Sequence, residues 1–304
     1  MGVPLKELGL DSKDETEMKG MGWLPELPDF RDYTFQTDAI SSILRALKLP
    51  KKSAPGLPLT ADLRKWFSPI EDQGNLGSCT ANAGVGLFEY FENRAFGKYS
   101  DASRLFLYKV TRNLMQMTGD TGAYLRTTMG AMAMFGVPQE KYWPYVIAKF
   151  DVEPSAFLYG FADNYKALQY VSLDPPGTSP SALLANIKMN IAAGIPSMFG
   201  FTVYDSIKQA ATTGKIPYPC RGESVLGGHA IDAVGYDDQM KIKNANPCGV
   251  ETTGAFLIRN SWGKSWGDKG YGWLPYDYVL KSLADDWWTL IKATWIETGQ
   301  FGMQ

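Results

Sequence analysis

The sequence contains a single histidine, His229, and only three cysteines among its 304 residues. Histidine is the side chain whose unperturbed pKa lies nearest physiological pH, so acid–base chemistry by an imidazole has one candidate. Three cysteines cannot all pair within one chain, and at least one thiol is therefore free or paired outside it. Cysteine this sparse also excludes a small scaffold stapled by disulfides.

The chain also lacks a large excess of either charge, since 30 basic and 32 acidic side chains leave a formal net charge of −2. Binding to nucleic acid or to an anionic membrane requires an excess of lysine and arginine, so neither partner is expected. No apolar run reaches the roughly 18 residues of a membrane span. The first 20 residues lack the apolar core of a signal peptide, which makes the cytoplasm the default location. A signal that had been removed would leave the same sequence, and secretion therefore stays open.

Composition and periodicity divide the chain into a leader with a linker, residues 1–56, and a domain over residues 57–304. Helical spacing of apolar residues dominates from about 74 to 166, whereas β-type runs dominate from about 167 to 304. The pattern predicts an α+β fold with a helical half, a mainly β half and a cleft between the two lobes, where ligands commonly bind. We expect the chain to be a monomer.

Cys79 has the surroundings of a nucleophile. It follows Ser78, a favoured N-cap residue, and the proline-free stretch 80–94 predicts a helix. A helix N-terminus and a nearby imidazolium both favour the thiolate, which is the reactive form of cysteine. Gly77 permits a tight loop before the thiol, and the side-chain amide of Gln73 is a donor suited to the oxyanion of acyl transfer.

His229 and Asn260 lie in the half of the chain rich in predicted strands. Gly228 precedes the histidine and permits close approach of another backbone. Asn260 ends a predicted strand, where its amide oxygen can accept a hydrogen bond from the imidazole and hold its orientation. The indole of Trp262 is expected to keep water away from that bond.

Three segments of the sequence resemble the active-site blocks of papain-family cysteine peptidases. They are residues 73–79 around the cysteine, residues 228–236 around the histidine, and residues 260–271 around the asparagine and the tryptophans. The order of the blocks also matches, and the resemblance extends from about residue 57 to the C-terminus. A match of all three blocks in order is much more specific than any one block.

The resemblance implies a papain-like two-lobe fold, with the cysteine on a helical lobe and the histidine and asparagine on a β-barrel-like lobe. It also implies a peptidase that needs no cofactor and no metal. It implies that Cys79 is the nucleophile, that His229 is its base and acid, and that Asn260 orients the imidazole. Gln73 is expected to complete an oxyanion hole with the backbone N–H of Cys79, while Trp262 shields the contact between His229 and Asn260.

The resemblance also implies a cleft for a peptide or protein substrate and carries departures from the family pattern. Leu76 stands where the family has a cysteine, and Thr80 stands where it has a tryptophan. The leader lacks the long charged helix of typical family propeptides. The residues expected to line the cleft are Gly77, Ser78, Gly122, Gly228 and Trp262.

The leader has two interpretations. Pro25 and Pro28 favour an extended path through the aromatic stretch 23–33. Extended segments bind clefts through backbone hydrogen bonds and side-chain pockets, so we expect an intramolecular plug anchored by these aromatic residues. The alternative is an inert tail or docking strand. Apolar spacing predicts a short helix over 38–49, and residues 49–57 are the expected site of cleavage.

Other functions remain open at the level of sequence. A catalytically silent relative would use the same cleft to bind peptides, and a Cys–His amidase or transpeptidase would use the same groups for other acyl transfers. A purely structural role is the least favoured. Cys220 and Cys248 flank His229, and they either form one disulfide or remain two free thiols.

Overall fold

The computed structural model describes residues 19–44, 56–162 and 169–302. In chain order, its helices are α1 (Asp38–Leu44), α2 (Cys79–Phe96), α3 (Arg104–Leu114), α4 (Leu125–Phe135), α5 (Ala156–Ala162), α6 (Pro180–Ala192), α7 (Asp277–Leu280) and α8 (Ala293–Ile296). Its strands are β1 (Thr60–Asp62), β2 (Gln169–Ser172), β3 (Ser197–Tyr204), β4 (Val225–Lys243), β5 (Glu251–Arg259), β6 (Tyr271–Pro275) and β7 (Ala284–Ile291).

The strands form one antiparallel sheet with the order β2-β7-β3-β4-β5-β6, to which β1 is added by pairing with β4. His229 lies on β4, directly opposite Phe201 of β3. Asn260 follows the last residue of β5, which pairs with β4 beside it. The central position of β4 therefore brings the histidine and the asparagine to the same side of the sheet.

The helices begin and end where local chemistry favours it. The Ser103 hydroxyl accepts a hydrogen bond from the backbone N–H of Phe106 at the start of α3. At the start of α6, the hydroxyl of Ser179 caps the helix in the same way and Pro180 occupies the first turn. The long helix α2 ends at Gly97, whose positive φ of 70° suits a residue without a Cβ.

Helix α2 packs against β4 and presents its first residue, Cys79, to the His229 strand. At Gly86, where a Cβ atom would lie 2.6 Å from Nη1 of Arg259, the helix meets the buried side chains of Arg259 and Asp232. Arg259 also donates to the Ser68 hydroxyl at 3.2 Å. The two lobes are thus joined through residues that neighbour His229 and Asn260 in sequence.

The fold class is the one expected from the sequence, an α+β fold with two lobes. The sheet has β2 and β6 at its ends within the described residues, and it is therefore open and not a closed barrel. The structure describes α1 over Asp38–Leu44, and the rest of the predicted helix, residues 45–49, lies outside the described ranges, as does most of the expected cleavage site. No helix in the described part of the chain is long and apolar enough to cross a membrane.

A disulfide joins Cys220, in the loop before β4, to Cys248, in the turn between β4 and β5. The count of three cysteines is thereby resolved, because Cys79 is left as the free thiol. The loop before β4 is also held by Glu223, whose carboxylate accepts hydrogen bonds from the backbone N–H of Cys220 and the side-chain amide of Asn244.

The core of the β lobe is built on aromatic stacking. The rings of Phe199 and Trp287 are parallel within 5° with centroids 3.9 Å apart, and both side chains are fully buried. Stacked aromatic pairs of this kind contribute beyond their buried area. The stack joins β3 to β7, and β3 in turn supports the strand that carries His229.

We expect Phe199→Ala to lower the free energy of unfolding by roughly 3–5 kcal/mol, because it leaves a cavity against Trp287. Chemical denaturation of the full-length chain would measure the change. Phe30→Ala is a suitable control, since that ring is 90% exposed and its removal should change stability by less than about 0.5 kcal/mol. Equal losses in the two variants would contradict this description of the core.

Candidate active site

Cys79 is the first residue of α2, and its side chain is fully buried. The backbone N–H groups of Ala230, the residue after His229, and of Gly22 in the leader lie close enough to the sulfur to lower the pKa of the thiol, as do those of Thr80 and of Cys79 itself. The thiol therefore lies between the strand that carries the histidine and a segment from the N-terminus of the chain. Its position at the start of α2 also exposes it to the positive end of the helix dipole.

The imidazole of His229 is fixed by two contacts. Its Nε2 atom lies 2.8 Å from Oδ1 of Asn260, and the indole of Trp262 stacks on the ring with centroids 4.5 Å apart. The Nδ1 atom is buried and has no hydrogen-bond partner among the described residues. The nitrogen that Asn260 leaves free is therefore the one able to exchange a proton with a thiol or with substrate.

A chain of hydrogen bonds connects Gln73 with Asn260 and His229. The hydroxyl of Ser261 donates to Oε1 of Gln73 at 2.5 Å, and the backbone N–H of Ser261 donates to Oδ1 of Asn260 at 2.8 Å. The backbone N–H of Gln73 also donates to the carbonyl of Ser261 at 2.9 Å. The side-chain amide of Gln73 is thereby oriented with its N–H groups toward the cleft side of the loop.

The loop before Cys79 is held by two side chains from the helical lobe. Asp120 accepts the backbone N–H of Gly77 at 3.0 Å, and the hydroxyl of Tyr145 donates to the backbone carbonyl of Gln73 at 3.0 Å. Tyr145 also lies 2.6 Å from the hydroxyl of Ser78. Both partners come from segments that precede and follow α4, and they place the loop relative to α2.

The leader passes directly over these groups. The backbone of residues 20–24 makes hydrogen bonds to both walls of the cleft. On the helical lobe, Gly20 N–H donates to the carbonyl of Gly74 at 3.0 Å and Leu24 N–H donates to the carbonyl of Ala123 at 3.1 Å, while the carbonyl of Gly22 accepts from Ala123 N–H at 2.7 Å. On the β lobe, Trp23 N–H donates to the carbonyl of Gly228 at 3.1 Å. Trp23 and Ala123 pair in the parallel sense. The leader therefore lies as an added strand between the two lobes.

The same segment accepts a hydrogen bond from the side-chain amide of Gln73. Its Nε2 atom donates to the carbonyl of Gly20 at 3.0 Å and to the carbonyl of Leu76 at 2.8 Å. The approach is close throughout: a Cβ atom on Gly22 would lie 1.9 Å from the carbonyl oxygen of Gly77, and one on Gly122 would lie 2.3 Å from that of Gly22. No side chain fits at these contacts.

Of the aromatic residues in the stretch 23–33, only Trp23 is buried by the cleft. The Phe30 ring is 90% exposed and Tyr33 is half exposed. A second attachment is ionic, because the guanidinium of Arg126 on α4 pairs with the carboxylates of Glu26 and Asp32. Within the stretch 23–33, the side chains that hold the leader are therefore one indole and two carboxylates, and not a row of aromatic anchors.

Burial determines the charge state of the two reactive groups. Burial raises the pKa of the Cys79 thiol to about 11, although backbone hydrogen bonds partly oppose the shift. Burial also lowers the pKa of His229 to about 4, and the hydrogen bond with Asn260 opposes this only in part. With the leader in place, burial therefore favours the neutral thiol of Cys79 and the neutral imidazole of His229, whereas the helix dipole by itself favours the thiolate.

The structure brings together most of the residues singled out in the sequence. Hydrogen bonds through Ser261 connect His229 and Asn260 with Gln73, and Cys79 lies near the backbone of Ala230, the residue after His229. Gly77, Gly122 and Gly228 line the path of the leader. Ser78 is the N-cap residue of α2, but its hydroxyl makes no capping bond; Asn82 donates to it, and it bonds with Tyr145. Trp262 stacks on the imidazole as expected.

Sequence reasoning missed several residues that hold this arrangement. Ser261 was part of the recognised asparagine block, and its position one residue after Asn260 is the only local signal for its role. Asp120 lies in a glycine-bearing loop, and Tyr145 follows a proline, but neither position reveals its long-range partner. Within the described residues, no cluster of three or more histidine, cysteine or acidic side chains has the geometry of a metal site.

Comparison with known proteins agrees with this arrangement. The model of the papain family of cysteine proteases matches residues 57–280. An uncharacterized peptidase C1-like protein of Acanthamoeba polyphaga mimivirus is 32% identical over 292 residues, which are 92% of this chain and 89% of that protein. Peptidase 1 of Euroglyphus maynei is 28% identical over 235 residues, which are 75% of this chain and 64% of that protein.

Among solved structures, this chain is similar to xylellain, a cysteine protease from Xylella fastidiosa. The two share 31% sequence identity with a TM-score of 0.70, and the match covers 90% of this chain and 96% of xylellain. The similarity extends beyond the region matched by the family model and includes part of the leader, because 90% coverage of the chain exceeds the span 57–280.

The single histidine makes the charge state of the site directly measurable. We expect His229 to stay neutral well below neutral pH and to titrate near its lowered pKa of about 4. An unfolded chain protonates this group near pH 6.5, so its contribution to stability is complete above about pH 6.5 and declines as the pH falls toward about 4. Nitrogen NMR of the labelled full-length chain would follow this one ring. A midpoint at or above 6.5 would contradict a buried neutral imidazole.

Proposed function

Because the chain belongs to the papain family of cysteine proteases, we propose that it hydrolyses peptide bonds with a triad of Cys79, His229 and Asn260. We further propose that it acts as an endopeptidase and that its own leader inhibits it. The domain would span residues 57–304, with residues 1–56 as a regulatory segment. The observation that carries the proposal is the leader's backbone, which makes hydrogen bonds to Gly74, Ala123 and Gly228 across the oriented pair of His229 and Asn260.

The geometry supports a separate role for each member of the triad: Cys79 as nucleophile, His229 as base and acid, and Asn260 as the residue that orients the imidazole. When the cleft opens to water, the Cys79 thiol transfers its proton to Nδ1 of His229, since Nε2 is occupied by Asn260. The sulfur then attacks the substrate carbonyl, and the imidazolium protonates the leaving amine. In the second half of the reaction, His229 takes a proton from water, which hydrolyses the thioester and regenerates the thiol.

Gln73 is suited to stabilise the oxyanion of both steps. Its amide already donates to a backbone carbonyl, that of Gly20, at 3.0 Å, and Ser261 fixes its orientation from the other side. A donor that is held before the reaction stabilises developing negative charge without reorganisation. The backbone N–H of Cys79, at the start of α2, would provide the second donor.

Two features support inhibition by the leader. It excludes substrate, because residues 20–24 use the backbone hydrogen-bonding groups of Gly74, Ala123 and Gly228. It also excludes water, and the resulting burial holds Cys79 and His229 in their neutral, unreactive states. A reversible opening of the leader would therefore restore both the binding groups and the nucleophile. We propose cleavage around residues 49–57 as the step that makes this opening permanent.

Other uses of the same cleft predict different behaviour. A silent peptide-binding relative would bind peptides without turnover, and an amidase or transpeptidase would transfer the acyl group to an added amine. The hydrogen-bonded set of Gln73, Asn260 and His229 favours the peptidase, since a binding protein has no need for an oriented imidazole. Hydrolysis of an unstructured protein, with product analysis in the presence of an added amine, distinguishes the three.

Reaction with a peptidyl epoxide tests both the nucleophile and the plug. We expect the full-length chain to be labelled slowly and once, and Trp23→Ala to be labelled roughly 10- to 100-fold faster, because the indole contributes about 1.5–3 kcal/mol to the closed state. Intact mass spectrometry over time would measure both rates. The exposed Phe30→Ala variant should behave as the unmodified chain, and Cys79→Ala should not react. Equal rates for the unmodified chain and Trp23→Ala would rule out inhibition by the leader.

Substitution of Gln73 by glutamate tests the oxyanion hole. The change keeps the shape of the side chain but replaces the N–H donors by oxygen, so we expect kcat to fall by roughly 10²- to 10³-fold. Hydrolysis of a fluorogenic peptide by the Trp23→Ala form, with and without the second substitution, would measure the loss. Labelling by the epoxide is the control, because it should persist when the fold is intact. An unchanged kcat would remove Gln73 from the mechanism.

A further inference from the structure

The Trp23 indole lies in a slot that exists because two strand residues lack side chains. A Cβ atom on Gly200 of β3 would lie 1.9 Å from Cε2 of the indole, and one on Gly228 of β4 would lie 2.8 Å from Cε3. Trp23 itself is only 7% exposed. The two glycines are on neighbouring strands, so their backbones form the wall against which the ring lies flat.

The end of the slot is a buried carboxyl group, that of Asp286 on β7. Its Oδ2 atom accepts the indole N–H of Trp23 at 3.1 Å, while Oδ1 accepts the indole N–H of Trp288 at 2.6 Å. Asp286 has a positive φ of 63°, and the pairing of β7 with β3 shifts register between Met198 and Gly200 beside it. Backbone strain of this kind persists where the surrounding structure requires it and is common at functional sites.

Departure of the leader would leave the slot open and Oδ2 of Asp286 without its donor. A buried acceptor without a partner is costly, so a substrate side chain that restores the hydrogen bond is favoured over one of equal shape that does not. We propose that this slot is a substrate subsite that selects an aromatic side chain with a ring N–H, that of tryptophan, through Asp286. The inference rests on the proposed peptidase function and names its preferred substrate.

A basic side chain is the main competitor for this subsite. An open cavity of about 480 Å³ adjoins the indole, and Asp174 and Asp285 line it together with Asp286. Asp174, however, already accepts the backbone N–H groups of Asp286 and Trp287 at 2.8 and 3.1 Å. Burial also raises the pKa of Asp174 to about 6 and that of Asp286 to about 7, which weakens the negative charge at neutral pH. One neutral donor for each oxygen of Asp286 fits this environment better than a cation.

The test uses the full-length Trp23→Ala chain, in which the slot is empty, and two matched fluorogenic peptides. They carry tryptophan or 3-benzothienylalanine, which replaces only the ring N–H by sulfur. Each peptide is made in two forms, with the test residue second before or first after the cleaved bond, because Trp23 follows Gly22, whose backbone lies near the Cys79 sulfur, and a substrate can run along the cleft in either direction relative to the leader. We expect kcat/KM to be roughly 10-fold or more higher for tryptophan, a ratio that Asp286→Leu should reduce to about one.

Gly200→Ala provides a second variant that leaves Asp286 in place. In the Trp23→Ala background it should lower the ratio of kcat/KM for the tryptophan peptide to kcat/KM for a peptide with alanine at that position at least about 10-fold, because the added Cβ fills the slot. Equal rates for the two matched peptides in the parent chain would overturn the inference. A higher kcat/KM for an arginine peptide than for the tryptophan peptide would assign the subsite to a basic side chain instead.

Failure of the inference is distinguishable from failure of the peptidase function. Hydrolysis of an unstructured protein together with equal rates on the two peptides would leave the function intact and overturn the subsite. If no substrate is hydrolysed and the epoxide does not react, the proposed peptidase function is refuted. The slot is then tested by ligand binding alone. In that case 3-methylindole should bind the Trp23→Ala chain more tightly than 3-methylbenzothiophene does, and equal affinities would overturn recognition by Asp286.

Discussion

Backbone packed directly against backbone is the constraint on which the closed cleft depends. Gly22 lies against the carbonyl of Gly77 on one lobe, and Gly122 lies against Gly22 from the other side, with no room for a Cβ atom at either contact. Water is excluded as a result, and the burial that follows keeps the thiol and the imidazole neutral. In the proposed inhibition, steric closure of the cleft and the neutral state of the Cys79 thiol are therefore two consequences of the same close contact.

Much of the site was predictable from sequence because its signals are local. The cysteine at a helix start, the histidine after a glycine pair and the asparagine at a strand end each occur in a short recognisable segment, and their order in the chain supports one another. The α+β class and its two lobes followed from the change from helical spacing to β-type runs. The open sheet did not follow, because closure depends on which strands lie at its ends.

The remainder depends on contacts between residues far apart in the chain. Trp23 meets Asp286 across 263 residues, and Ser261 meets Gln73 across 188. No periodicity or motif in either segment encodes such a pairing. The neutral state of Cys79 was unpredictable for the same reason, since a helix N-terminus favours the thiolate, and only the leader lying over it reverses the balance.

The disulfide between Cys220 and Cys248 closes a covalent loop around His229. The loop includes an exposed edge of the chain just before the histidine, where Val225 is 59% exposed. Copies of an active peptidase can cleave one another, and exposed loops are the usual sites of such cleavage. A single cut between the two cysteines would leave both fragments joined, so the strand that carries His229, the proposed catalytic base, would stay attached to the rest of the chain. Under the proposed function, the disulfide would thus preserve the site after a cut by another copy of the same peptidase.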